Sequence, residues 1–213
     1  MDTIIPKALD DYCAAHTSPP TALLAELEAW TRARMKHTQM LTGHLEGALL
    51  RWLVRLSGTR RVLEIGTYSG YSALAMAEAL PADGELMTCD NDPKHARVAQ
   101  AFFDRSPHGS KITLRLGPAL ETLAALPERE TFDFVFLDAD KENYPNYYEA
   151  ILPRLQPDGL LVVDNVLWSG KVLAPRKKPD RAIVAFNERV RSDARVECLM
   201  LPVRDGVLLV RKK

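Results

Sequence analysis

Along the first 57 residues, apolar positions recur at helical spacing. Leu23, Leu24, Leu27 and Trp30 form one set behind Ser18-Pro19-Pro20, which reads as a cap and a helix-starting proline. Leu45, Leu49, Trp52, Leu53 and Leu56 predict the apolar face of a further helix, ended by Ser57-Gly58. From Arg61 the period changes. Short apolar runs at 61–66, 84–90, 111–117, 132–139 and 159–165 read as strands, and helical stretches such as YSALAMAEAL and YPNYYEAILPRL separate them. Strands joined through helices pair in parallel, with both sheet faces covered. The C-terminal end breaks this rhythm, because RVECLMLPV and VLLVRK flank Arg204-Asp205-Gly206 and Asp-Gly signals a hairpin. The pattern predicts one α/β domain with an N-terminal helical cap over 1–57 and a doubly wound core over 58–213. That core is mostly parallel and closes with an antiparallel hairpin.

The 213 residues suit a single domain of this kind. Lys and Arg total 28, as do Asp and Glu, so the net charge is zero and no broad field favours nucleic acid or an anionic membrane. The opening MDTIIPKALDDY lacks the basic segment and apolar core of a secretory signal. No apolar run approaches the roughly 18–20 residues of a membrane span. Cys13, Cys89 and Cys198 are scattered and odd in number, which fits reduced thiols and a cytoplasmic setting.

The first strand runs into Val62-Leu63-Glu64-Ile65-Gly66-Thr67-Tyr68-Ser69-Gly70-Tyr71-Ser72 before the next helix opens. Glycines here let the backbone turn tightly beside a ligand, and the helix N-terminus offers free N–H groups. The Gly-x-x-x-Gly spacing is not the Gly-x-Gly-x-x-Gly of dehydrogenases, which disfavours pyrophosphate and a nicotinamide-dependent enzyme. Asp90, at the end of the second strand, can accept hydrogen bonds from both hydroxyls of a ribose. Its structural alternative is a helix cap ahead of Pro93. Two further strands end in Asp138-Ala139-Asp140-Lys141 and Asp164-Asn165. Parallel strands bring their carboxyl ends to one edge, so Asp138, Asp164 and Asn165 can converge there as hard oxygen ligands for Mg²⁺, Ca²⁺ or Mn²⁺. Alone, any one of these acids reads as an ordinary strand-end residue.

The segments LEIGTYSGYSALAMAEALP, TCDND, LGPALETL, FDFVFLDADKENYPNYYE and LLVVDNVLWSGKV, with RDGVLLVRKK at the end, together resemble the cation-dependent O-methyltransferases. That group contains the caffeoyl-CoA O-methyltransferases and, more distantly, catechol O-methyltransferase. The resemblance spans roughly residues 60–173 and implies the class I methyltransferase fold, with a seven-stranded Rossmann-like sheet. It implies S-adenosylmethionine as cofactor, bound by Thr42, Glu64, Gly66, Thr67, Ser72, Asp90, Ala119 and Asp140. It implies a divalent cation, Mg²⁺ foremost, on Asp138, Asp164 and Asn165, with Lys141 and Asp138 catalytic. The small-molecule partner it implies is an aromatic diol or its coenzyme A thioester, and the assembly a homodimer. The sequence departs from the family where His44-Leu45-Glu46-Gly47 stands in place of Pro-Glu-x-Gly, and the first 40 residues match no part of the family pattern.

In the loop after the third acidic strand end, Trp168 is the candidate for stacking on an aromatic substrate, with Ser169 beside it. Tyr144, Tyr147 and Tyr148 share one helical face and read as core or dimer packing rather than a substrate clamp. Arg176, Lys177 and Lys178 read as a solvated basic loop, with coenzyme A phosphates as the alternative. None of the five histidines has metal-ligand spacing, and His44 alone falls near the expected site. The competing functional readings are a catalytically silent S-adenosylmethionine-binding protein, a metal-dependent hydrolase and the dehydrogenase.

Overall fold

The computed structural model describes residues 4–213. Three helices come first: α1 (Lys7–Ala15), α2 (Ala22–Arg34) and α3 (Gly43–Leu56). Strand and helix then alternate through β1 (Arg61–Ile65), α4 (Tyr71–Ala77), β2 (Glu85–Asp90), α5 (Pro93–Phe103), β3 (Ile112–Leu116) and α6 (Ala119–Ala125). The chain continues as β4 (Phe132–Leu137), α7 (Tyr144–Ile151), β5 (Leu155–Asp164), α8 (Lys178–Ser192), β6 (Val196–Leu201) and β7 (Val207–Lys212). The strands form one sheet in the order β3-β2-β1-β4-β5-β7-β6. The first five are parallel, and β7 enters antiparallel between β5 and β6. The predicted doubly wound fold with a C-terminal antiparallel hairpin is therefore the observed one.

Two apolar layers hold the sheet. One face is covered by α2–α5, with Leu24, Leu27, Leu50, Val54, Leu74 and Phe103 buried against Phe134, Phe136 and Val162. The other is covered by α6–α8, where Tyr144, Tyr148, Ile151, Ile183 and Phe186 meet Leu63, Val135 and Leu161. Tyr144 and Tyr148 pack edge-on against Phe186 with centroids 5.4 and 6.1 Å apart, so both are core aromatics. No helix among the described residues is long and apolar enough to cross a membrane.

The structure corrects three local expectations. Helix α2 starts after the prolines, with Thr21 as the cap accepting from the Leu24 N–H. Helix α3 turns a different face inward: Gly47, Leu50 and Val54 are buried, whereas Trp52 and Leu56 are 60% and 75% exposed. Close approach decides this, because a Cβ on Gly47 would lie 2.7 Å from the Tyr71 ring of α4, so only the glycine face fits there. The hairpin turn spans Val203–Gly206, closed by the Gly206 N–H on the Val203 carbonyl at 2.8 Å. Its central pair is thus Arg204-Asp205, not Asp-Gly.

Candidate active site

The parallel register places the ends of β1, β2, β4 and β5 level: Ile65 pairs with Cys89 and Leu137, and Leu137 with Val163. The chain beyond each end stays hydrogen-bonded, Gly66 to the Cys89 carbonyl at 3.0 Å and Asp138 to the Ile65 carbonyl at 2.9 Å. Gly66 has φ 108°, and a Cβ there would overlap the Asp138 carbonyl. Above this edge lies a cavity of about 590 Å³, within the range of small-molecule sites. Its walls are the strand-end loops, the segment Gln39–Thr42 and Arg204 of the hairpin turn.

At the β1–β3 end, the Asp90 carboxylate is fixed from two sides, by the Tyr68 N–H at 2.7 Å and the Asp92 N–H at 2.8 Å. The helix cap that Asp90 competed for belongs to Asp92, which accepts from the Lys94 N–H. Asp90 thus faces the cavity as a held acceptor. The Tyr68 ring meets His95 edge-on at 4.9 Å, and His95 Nδ1 lies 3.4 Å from Asp90. Glu64 is fully buried below the cavity and accepts from the Thr88 hydroxyl at 2.5 Å, with Thr67 bonded to Thr88 in turn. Burial pushes the Glu64 carboxyl up to about 8, against the opposing pull of the Ser72 and Thr88 hydroxyls. On the adjoining wall, Asp140 accepts from the Tyr147 hydroxyl at 2.7 Å and from the Asn143 amide.

The β4–β5 end is crowded with charge. Lys141 Nζ donates to Asp138 at 2.6 Å and to the Tyr144 hydroxyl at 2.7 Å, with only 9% of its side chain exposed. It is a built part of the site, not a solvated surface lysine. The Tyr144 hydroxyl donates onward to the Asp164 carbonyl at 3.0 Å. Glu46 of α3 reaches this cluster while 1% exposed, paired with Arg204. Burial raises the Asp164 carboxyl well above the usual range, and neighbouring Glu46 and Asp138 raise it further. Glu46 is raised by burial and by Asp138, against the pull of Arg204. The second Glu46 oxygen, Oε1, has no hydrogen-bond partner among the described residues.

The donor chemistry fits a hard cation. Asp138, Asp164 and Asn165 all line the cavity, and mutual repulsion among buried carboxylates is what a bound cation relieves. No group of three or more His, Cys, Asp or Glu side chains among the described residues is arranged to hold a metal ion. The expected set has two carboxylates, its third donor being the Asn165 amide.

Of the residues that the sequence assigned to cofactor, cation, catalysis or substrate, all but Glu64 and Ser169 line this one cavity. Glu64 lies beneath it, and Ser169 is exposed at its outer side. Trp168 lines the wall and is anchored through Nε1 to buried Asp180 at 3.0 Å. Asp180 also accepts the Arg176 and Lys177 N–H groups, so the basic loop is held through its backbone while its side chains stay exposed.

The match to the O-methyltransferase family model runs over residues 14–213. The chain belongs to that family. Caffeoyl-CoA O-methyltransferase 2 of Zea mays is 40% identical over 185 residues, covering 81% of this chain and 70% of the relative. Catechol O-methyltransferase domain-containing protein 1 of Mus musculus is 43% identical over 172 residues, covering 78% and 66% of the two chains. The crystal structure of an O-methyltransferase from Bacillus cereus in complex with S-adenosylhomocysteine superposes with a TM-score of 0.88 at 30% identity, over 97% of each chain.

The family match begins well inside the first 40 residues, so most of that segment belongs to the O-methyltransferase pattern after all. The residues of this O-methyltransferase that sequence reasoning passed over are Tyr68, His95 and Arg204. Arg204 was legible only as part of a turn. No residue pattern marked it, since its left-handed backbone at φ 49° and its distant contacts exist only in the fold.

Proposed function

We propose that this O-methyltransferase moves a methyl group from S-adenosylmethionine to one hydroxyl of a vicinal dihydroxy aromatic, free or as a coenzyme A thioester, and uses a divalent cation. The observation that carries the reading is the convergence of Asp138, Asp164 and Asn165 on the same cavity as Gly66 and Asp90. The S-adenosylhomocysteine in the Bacillus cereus structure supports the cofactor, and the names of the maize and mouse relatives support a catechol-type acceptor.

Asp90, held by two backbone N–H groups, offers its remaining lone pairs to ribose hydroxyls. Gly66, Thr67, Ser72, Ala119, Asp140 and Thr42 line the same cavity and would hold the rest of the cofactor. Asp138, Asp164 and Asn165 would hold the cation, Mg²⁺ foremost. When bound, the sulfonium supplies an electrophilic methyl group, and the cation lowers the pKa of a phenol that otherwise titrates near 10. Lys141 places a positive charge beside the substrate hydroxyl and favours its anion; to take up the proton it must first release its own. Tyr144 and Asp138 fix that ammonium in place. The Trp168 ring, pinned to Asp180, gives the aromatic substrate a flat wall. A homodimer, the assembly expected for the family, is tested by sedimentation.

The deciding experiment is transfer of labelled methyl from S-adenosylmethionine to caffeic acid and to caffeoyl-CoA, with Mg²⁺ or with EDTA. Metal-dependent product is expected. Product formation indifferent to EDTA would remove the cation from the reading. Bound S-adenosylhomocysteine without transfer to either diol would remove the acceptor.

A further inference from the structure

The turn between β6 and β7 does more than reverse the chain. Arg204 holds φ 49°, a left-handed conformation that costs a bulky side chain on the order of 1 kcal/mol or more. Its guanidinium is held on several sides. Nη1 donates to Glu46 and to the Thr42 carbonyl, and Nη2 donates to the Leu41 carbonyl at 3.1 Å. One side chain from the far end of the sequence thus fastens the segment that carries Thr42 over the cofactor end of the cavity.

The next residue holds a different part of the site. Asp205 is 2% exposed, and its Oδ1 accepts the Ser169 N–H. Its carbonyl accepts the Leu167 N–H at 2.9 Å, and the Gly206 carbonyl accepts the Val166 N–H at 3.1 Å. The loop so held follows Asn165 and carries Trp168. That loop is itself strained, with Asn165, Trp168 and Ser169 at φ 62°, 50° and 53°. A Cβ on Gly206 would meet the Leu167 side chain, so the turn and the loop are in direct contact.

We propose that Arg204 and Asp205 form a joint between cofactor and substrate binding. Arg204 is the positioning residue for Gln39–Glu46, and Asp205 for the loop 165–169. The two side chains leave adjacent Cα atoms of a turn closed by a single 2.8 Å hydrogen bond, so a shift of one reorients the other. Ordering the Thr42 segment on the cofactor therefore orders the Trp168 loop before the substrate arrives, a coupling free energy between two sites. The inference rests on the proposed placement of cofactor and substrate in this cavity; it does not require the cation.

The test combines S-adenosylhomocysteine affinity by calorimetry in EDTA with amide hydrogen exchange, on full-length Arg204→Met, Arg204→Lys and Asp205→Ala, the last removing the acceptor of the Ser169 N–H. In the wild type, S-adenosylhomocysteine is expected to slow exchange in both 38–47 and 165–173. Arg204→Met should weaken its affinity about tenfold and abolish the protection of 165–173, and Arg204→Lys should restore part of both. Asp205→Ala should keep the affinity within about twofold and keep protection of 38–47, yet lose it at 165–173. That separation discriminates a joint from a merely structural ion pair and from direct cofactor contact with the loop. If Arg204→Met does not fold, Asp205→Ala and Arg204→Lys still decide. Protection of 165–173 retained in Asp205→Ala, or unchanged affinity in a folded Arg204→Met, overturns the joint. A wild type that binds no S-adenosylhomocysteine overturns the proposed function along with it.

Discussion

The two ends of the cavity are built on different physical terms. At the β1–β3 end, most of the contacts are backbone or neutral hydrogen bonds, the carboxylate of Asp90 is held by two N–H groups, and the acid that burial pushes up, Glu64, sits below the cavity and not on its wall. At the β4–β5 end, four acids, Glu46, Asp138, Asp164 and Asp205, face two cations, Lys141 and Arg204, and burial raises Glu46, Asp164 and Asp205. Four non-glycine residues there, Asn165, Trp168, Ser169 and Arg204, hold left-handed backbone, against Tyr68 at the other end. A relaxed cradle suits a ligand that is bound whole and released. Stored repulsion and strain suit the place where charge develops, because a cation or substrate entering it is favoured by what it relieves.

Asp164→Asn has the largest expected effect. It keeps the shape but removes one charge, and turnover should fall by roughly 10³-fold with saturating Mg²⁺. The metal-free variant should melt a few degrees higher than the wild type, since a buried and repelled carboxylate is gone. A lower melting temperature would mean that the crowding is not destabilising. Lys141→Met should come next, lowering kcat by roughly 10²-fold with less than a threefold change in substrate KM. An effect confined to KM would make Lys141 a binding residue. At the relaxed end, Asp90→Ala should weaken S-adenosylhomocysteine by about 10- to 100-fold in calorimetry, the loss of charged hydrogen bonds. It should leave any Mg²⁺-induced rise in melting temperature intact, and loss of that rise would show that the two ends are not separable.

The smallest effect concerns Glu64. Its folded carboxyl titrates at about 8, above its unfolded value, so the folded state binds more protons between the two. The corresponding stability is present below the unfolded value near 4.5 and is lost as pH rises towards 8. Glu64→Gln should flatten this fall, so that the gap in melting temperature between variant and wild type widens in the variant's favour from pH 5 to 8.5. Parallel curves would place the proton elsewhere.

The strand-and-helix alternation, the glycine loop and the three acidic strand ends could all be read from residue order. Each depends on local periodicity or on the rule that parallel strands share a carboxyl edge. The inward face of α3 could not, because it was chosen by the clearance at Gly47 against Tyr71 and not by which stripe is most apolar. Glu46 could be noticed only as a departure from a pattern. That it is buried, paired with Arg204 and set beside Asp164 needs the hairpin folded back onto α3.

By itself, then, the sequence determined the α/β class, the parallel core with its antiparallel end, and the chemistry available at the sheet edge. These follow from interactions between residues near in the chain and from side-chain type. Tertiary structure alone decided which helix face is buried, which hydroxyl or amide satisfies each carboxylate, and that a two-residue turn touches both halves of the site. Arg204 and Glu46 are separated by 158 positions, and no local pattern encodes a contact at that distance. Such contacts are fixed by close packing of elements already formed, where a clash or an unpaired charge rejects every alternative but one.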